Sequence, residues 1–255
     1  MHVAVTGQGP PLVLLHGWAM HAGIFAPLVR RLRPHCTLYL VDLPGHGLGR
    51  PVQGPFTLPA LVEALARQLP RAVWLGWSLG GLLALALGRS RPDLVRGLVL
   101  LASSPRFTRA PDWPRGVDPA LIEGLARDLA RDYRGTLDRF LGLEAFGSDH
   151  AREELRMLRT HVFERGSPDP AVLEDGLALL HDTDLREVLP ALAAPSLWLA
   201  GRRDRLVHWQ AMQVAAAAAP GATFHCLAGA GHAPFLGHAE AVAARVQQFV
   251  VECAA

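Results

Sequence analysis

Three residues of this chain, Ser78, Asp204 and His232, have the types and surroundings that acyl transfer requires. A serine hydroxyl is a weak nucleophile. It attacks a carbonyl carbon only when a base within hydrogen-bond reach takes its proton and an acidic group fixes the tautomer and steadies the charged form of that base. Ser78 sits in Gly76-Trp77-Ser78-Leu79-Gly80, followed by Gly81. This is the G-x-S-x-G pattern that puts a serine on a sharp strand-to-helix turn, its Oγ exposed above a sheet. The flanking glycines suit a backbone that turns too tightly for side chains, and a strained serine persists only where its surroundings hold it. Asp204 lies in Gly201-Arg-Arg-Asp-Arg205 and His232 in Gly229-Ala-Gly-His-Ala-Pro-Phe235. Each follows a short apolar run, and the chain order Ser, Asp, His is the one that goes with an elbow serine.

Each assignment has a rival. Asp204 stands among Arg202, Arg203 and Arg205, and an aspartate there can serve as a turn residue or an ion-pair partner. His238 competes with His232, but it lies near the start of a predicted helix, where a surface position is expected. His16 ends an apolar strand in Leu12-Val-Leu-Leu-His-Gly-Trp18, and a strand-end histidine braces its loop more often than it acts as a base. The loop after that strand is expected to supply one backbone N–H of an oxyanion hole and the residue after the nucleophile the other, which assigns the hole to Trp18 and Leu79.

The elements needed to position these groups are legible. Residues 71–75 read as a buried strand and 79–88 as a small-residue helix ending at a glycine, so Ser78 falls between them. Further strands are predicted over 3–5, 12–15, 37–41, 97–102, 195–200 and 223–227, and helices over 24–32, 57–69 and 240–251. Apolar strands alternating with helices predict an α/β fold: a mostly parallel sheet covered on both faces, with ligands beyond the carboxyl ends of its strands. Between residues 105 and 184 the texture changes. Four prolines interrupt the entry, no strand candidate appears, and Leu121, Leu125 and Leu129, then Leu155, Leu158 and Val162, repeat at helical spacing. This predicts a core of residues 1–104 and 185–255 with a helical cap inserted over 105–184.

Composition narrows the function classes. Half of the 255 residues are hydrophobic and the net charge is +2, which excludes disorder, and no apolar run reaches the length of a membrane span. All 25 basic residues are arginine, scattered rather than clustered, and no aromatic-basic interleaving suggests nucleic acid. Cys36, Cys226 and Cys253 form neither a disulfide framework nor a metal motif. With no signal-like N-terminus, a cytoplasmic monomer without metal or cofactor is expected. An apolar pocket lined by Trp18, Trp77, Phe140 and Phe235 is expected around the serine.

Val41-Asp-Leu-Pro-Gly-His-Gly47, the elbow, Leu101-Ala-Ser-Ser-Pro105, Gly231-His-Ala-Pro-Phe235 and the Leu12 to Trp18 stretch together resemble the α/β-hydrolase superfamily. With Asp112-Trp-Pro114 and Arg139-Phe-Leu141, the full-length pattern is similar to the carboxylesterases of biotin biosynthesis that cleave the methyl ester of pimeloyl-acyl carrier protein. That resemblance implies Ser78, Asp204 and His232 as the catalytic groups and Trp18, Ser78, Leu79 and His232 as substrate contacts. It also implies a cap contact segment of Phe140, Leu141, Gly142, Leu143 and Glu144, where a neutral glutamine is expected in place of Glu144. An acidic acyl carrier protein as transient partner would call for arginines near the pocket mouth, and Arg139, Arg152, Arg156 and Arg159 are the candidates. Acidic residues outnumber arginines between 106 and 184, 16 to 11, so such a patch has to be local. The same triad serves broad short-chain carboxylesterases and carbon–carbon bond hydrolases, and a silent ligand receptor is the alternative of another class. Dehalogenases and epoxide hydrolases fit worse, because they carry an aspartate where this chain has Ser78.

Overall fold

The computed structural model describes residues 1–49 and 54–254. In chain order it runs β1 (His2–Gly7), β2 (Pro11–Leu15), α1 (Ala26–Leu32), β3 (Thr37–Asp42), α2 (Leu58–Gln68), β4 (Ala72–Trp77), α3 (Leu79–Ser90) and β5 (Val95–Leu101). Then come α4 (Pro119–Leu129), α5 (Tyr133–Ala145), α6 (Ala151–Glu164) and α7 (Pro170–Asp182), followed by β6 (Ser196–Gly201), α8 (Trp209–Ala218), β7 (Ala222–Leu227), α9 (Pro234–Gly237) and α10 (Ala239–Ala254). The strands form one seven-stranded sheet in the order β1-β3-β2-β4-β5-β6-β7. Only β1 runs antiparallel to its neighbour; the other pairs are parallel. Every residue of β4 and β6 is buried, as strands covered on both faces must be. The fold is the α/β class expected from the alternation of strands and helices.

Parallel strands place their carboxyl ends along one edge, and the candidate residues gather there. Trp18 follows β2, Ser78 follows β4, Asp204 follows β6 and His232 follows β7. The helix after the elbow is buried along Leu79 to Gly88, so it fixes the turn from below.

Between β5 and β6 lie four helices and no strand of the sheet. Sequence explains their starts: Asp118, Asp132 and Asp169 each accept a backbone N–H at the head of α4, α5 and α7, and prolines open α4 and α7. At the base of this segment the Leu185 N–H donates to the Pro105 carbonyl (2.8 Å), and Arg106 bonds Asp184 across an isolated antiparallel bridge. Of the periodic residues, Leu125, Leu129, Leu158 and Val162 are buried and Leu121 and Leu155 half-buried. Helix α8 was not expected from the sequence. Its Ala-rich run lacks a clear polar and apolar alternation, and it is set by packing on β6 and β7.

Candidate active site

Ser78 has φ 53° and ψ −119°, a backbone conformation that side-chain-bearing residues seldom adopt and that costs about 1–3 kcal/mol. Three hydrogen bonds hold it there. Its N–H donates to the Leu101 carbonyl on β5 (3.1 Å), and its own carbonyl accepts from the Gly81 N–H (2.9 Å) and from the Ser103 hydroxyl (2.7 Å). A Cβ on Gly76 would collide with the Gly80 carbonyl, and one on Gly80 with the Leu15 carbonyl. Those contacts account for both glycines of the motif.

His232 Nδ1 lies 2.8 Å from Asp204 Oδ2, and Nε2 lies 2.9 Å from Ser78 Oγ. A carboxylate only accepts, so Nδ1 carries the proton and Nε2 is left to accept from the serine hydroxyl. The other Asp204 oxygen accepts from the Leu206 and Val207 N–H groups at 2.8 and 2.9 Å. Asp204 therefore pairs with none of its neighbouring arginines: Arg202 stacks on Trp209, Arg203 bonds Asp149, and Arg205 lies over Phe146. The histidine loop is tied down by Trp77, whose indole N–H donates to the His232 carbonyl (2.8 Å), and by the His232 N–H, which donates to the Glu144 carbonyl (3.2 Å). Ser78 and His232 are almost fully buried.

Trp18 and Leu79 flank this array. A Cβ placed on Gly17 would stand 3.2 Å from Ser78 Cβ, so the backbone entering Trp18 lies directly against the serine. Among the described residues neither the Trp18 nor the Leu79 main-chain N–H has a hydrogen-bond partner. Two free donors beside a serine hydroxyl suit an oxyanion. The Trp18 indole is held by the Leu173 carbonyl on α7 at 2.8 Å.

The rival histidines have other tasks. His16 Nε2 accepts the Leu43 N–H (3.0 Å), so its Nδ1 donates to the Gly17 carbonyl (2.8 Å), bracing the loop as expected. Burial and the neighbouring His46 ring push it down to about 3, so it stays neutral. His238 is half-buried rather than exposed and packs on the His150 ring, away from the serine.

A narrow cavity of about 20 Å³ opens over Ser78 and His232, lined by Phe107, Val117, Phe140 and Leu206 with leucines and an isoleucine of α4 and α7. The expectation for its lining needs correcting. Phe140 lines it, but Trp77 and Phe235 stack edge-to-face on each other with Trp77 beside His232, and Trp18 packs edge-to-face on Phe140. Sequence signalled the true lining only as apolar helix positions, indistinguishable from core. Of the segment after Phe140, Leu141 is core, Gly142 and Leu143 are half-buried, and none of the residues from Leu141 to Glu144 lines the cavity. The Glu144 side chain is fully buried, and neither carboxylate oxygen finds a partner. Burial, then the nearby Asp204 charge, raise its acid well above the usual range. Arg152, Arg156 and Arg159 share an exposed groove on α6, whereas Arg139 is paired with Asp128 and Asp132 and Arg159 with Asp138. Glu154 accepts the Ser148 hydroxyl.

Among the described residues, one set of three metal-ligand side chains converges: His21, His161 and Glu164. His21 has no lone pair to offer, since Nδ1 accepts the Gly23 N–H and Nε2 donates to the His161 carbonyl. No helix among the described residues is long and apolar enough to cross a membrane.

The model of the alpha/beta hydrolase family matches residues 12–245, which takes in all four loops at the sheet edge. The chain belongs to the alpha/beta hydrolase family. Within this family it is 58% identical over 250 residues to the pimeloyl-[acyl-carrier protein] methyl ester esterase of Stenotrophomonas maltophilia (strain K279a), covering 98% of this chain and 96% of that protein. It is 56% identical to the protein of the same name from Xanthomonas oryzae pv. oryzae (strain MAFF 311018), covering 98% of each. Among solved structures, an esterase from Exiguobacterium antarcticum superposes with a TM-score of 0.87 at 22% identity, covering 98% of this chain and 94% of that one. An enol-lactonase from Burkholderia xenovorans LB400 superposes with a TM-score of 0.85 at 22% identity, covering 98% and 96%. At that identity these two share the hydrolase fold.

Proposed function

We propose that this α/β-hydrolase is a cytoplasmic serine carboxylesterase that hydrolyses the methyl ester of pimeloyl-acyl carrier protein, releasing methanol and the free acid for biotin synthesis. The observation that carries the reading is identity of 56–58% over 250 residues to esterases of that name. Support comes from a serine, histidine and aspartate in one hydrogen-bonded line beneath an apolar cavity.

In this mechanism Ser78 Oγ attacks the ester carbonyl while His232 Nε2 takes its proton. Asp204 holds the imidazole in the required tautomer and balances the imidazolium. The N–H groups of Trp18 and Leu79 receive the oxyanion, each worth roughly 3 kcal/mol in the transition state. His232 then protonates the departing methoxide, and the same base activates the water that frees the acyl group. Residues 1–104 and 185–255 act as the hydrolase core and 105–184 as the cap that covers the acyl chain. The carrier docks through the exposed α6 face, with Arg152 and Arg156 as its main contacts and Arg139 and Arg159 already half-neutralised by aspartates.

The test is growth without biotin of a strain lacking its own esterase for this step. Expression of this chain restores growth and expression of Ser78→Ala does not. Failure of the wild-type chain, with active enzyme in the cell extract on simple esters, would leave a broad short-chain carboxylesterase or a carbon–carbon bond hydrolase in its place.

A further inference from the structure

A second cavity of about 360 Å³ lies beside the catalytic one and is lined by Arg115, Arg202, Arg203, Arg205 and His208. The two share Val117 and Leu206 as a common wall. The space over Ser78 is about 20 Å³, room for one or two waters and far too little for an acyl chain, so a wall has to part when substrate binds. Val117 and Leu206 are the wall with open space behind it.

The charge behind that wall is only partly neutralised locally. Arg115 has neither a hydrogen bond nor an ion pair among the described residues. Arg202 stacks on Trp209 at 4.0 Å and Arg205 over Phe146 at 5.5 Å, contacts that orient a guanidinium without cancelling its charge. Arg203 alone is paired, with Asp149. Asp204 borders the cavity, but its oxygens are occupied by His232 and the Leu206 and Val207 N–H groups. His208 lines the cavity and caps the start of α8 through Nδ1, which puts the first turn of that helix at the cavity's edge. In keeping with this, burial and then Arg115, with Arg202 and Arg205, depress the His208 imidazolium, and only Asp204 opposes them.

We propose that this basic cavity is an anion subsite, reached between Val117 and Leu206, which holds the far carboxylate of a free methyl half-ester of a straight-chain dicarboxylic acid. The half-ester is then a second substrate class, independent of any carrier: its methyl ester sits at Ser78, its chain crosses the Val117–Leu206 wall, and guanidinium groups bind its carboxylate in the planar, bidentate fashion they favour. The chemistry balances as simple hydrolysis. Water adds its hydroxyl to the acyl carbon, methanol leaves with the proton, and nothing is oxidised or reduced. The inference rests on Ser78 acting as an esterase nucleophile, and not on the carrier.

The experiment compares monomethyl pimelate with methyl heptanoate, which has the same chain without the carboxylate, on wild type and on Arg115→Gln and Arg205→Gln. The KM for monomethyl pimelate is expected to be roughly fivefold to tenfold below that for methyl heptanoate in wild type, at unchanged kcat. Each variant erodes that advantage while leaving methyl heptanoate untouched, and added salt shrinks it. Both arginines are exposed, so folding is not at stake, and hydrolysis of p-nitrophenyl acetate verifies each variant. Equal KM values for the two esters in wild type, or equal losses on both in the variants, would overturn the subsite. Absence of hydrolysis on every ester, p-nitrophenyl acetate included, would instead refute the esterase reading itself.

Discussion

At the scale of single residues, Ser78, His232 and Asp204 form one hydrogen-bonded line, and in the proposed mechanism removal of any one disables the others. Ser78→Ala and His232→Ala are each expected to lower kcat on any accepted ester by about 10⁴-fold or more, with urea midpoints close to wild type. Asp204→Asn keeps the shape but offers the wrong hydrogen-bond pattern to Nδ1, and a loss of about 10⁴-fold is expected. Substantial residual turnover in purified Ser78→Ala would remove the serine from the mechanism. Glu144 sets a different test. It is buried, unpartnered and next to Asp204, so it stays protonated in the fold far above its ordinary range. Near pH 4 both folded and unfolded chains hold this proton; as pH rises the unfolded chain releases it and the folded one does not, so stability falls. Glu144→Gln, neutral at every pH, should match wild type near pH 4.5 and exceed it increasingly toward pH 7.5, by at most ~1.4 kcal/mol per pH unit. Chemical denaturation at the two pH values checks this, and a gap that does not widen contradicts it.

At the scale of elements, the end of α6 is pinned to the edge of the sheet by a buried carboxylate that the sequence does not flag. Asp42, at the end of β3, accepts the Ala22 N–H (2.7 Å) and the Leu48 N–H (2.9 Å), and Arg165, just past α6, reaches it at 3.1 Å. Burial alone would raise its acid, but the Leu48 and Ala22 N–H donors and the Arg165 charge together bring it below the usual range. Its stabilisation is present above the ordinary carboxylate pKa and is lost as pH falls through the depressed one. Asp42→Ala strands the buried Ala22 N–H, the Leu48 N–H and a half-buried arginine, and a loss of roughly 3 kcal/mol in urea denaturation at pH 7 is expected, fading in acid. Asp42 appears in the sequence only as part of a turn motif, because two of its three partners lie 20 and 123 residues away. The strand edges carrying the triad were legible for the opposite reason: each candidate sits within a few residues of its own apolar run. The cavity was not legible, since Leu177, Leu180 and Leu206 read as core until α4 and α7 are placed over Ser78. Ser103 was seen as part of a motif without a task, and only the fold shows its hydroxyl bonded to the Ser78 carbonyl.

At the scale of the whole molecule, a net charge of +2 conceals an uneven surface. The stretch 106–184 is acidic in sum, yet Arg152 and Arg156 on α6 have no ion pair among the described residues, while Arg139 and Arg159 do. Charge reversal at Arg152 and Arg156 is therefore expected to raise KM for a carrier-bound ester several-fold, more strongly at low salt, and to leave kcat and free-ester hydrolysis unchanged. Reversal at Arg139 or Arg159 should affect carrier-bound and free esters alike, because it breaks contacts within the cap. Steady-state kinetics on both substrates at two ionic strengths separates these outcomes. The central claim is the reaction itself, and it is tested most directly by incubating purified protein with the methyl ester of pimeloyl-acyl carrier protein and following methanol release together with the mass of the carrier. The account predicts one methanol per carrier, a carrier lighter by one methylene, and neither change with Ser78→Ala. An unaltered carrier in the presence of enzyme that readily cleaves p-nitrophenyl acetate would contradict it.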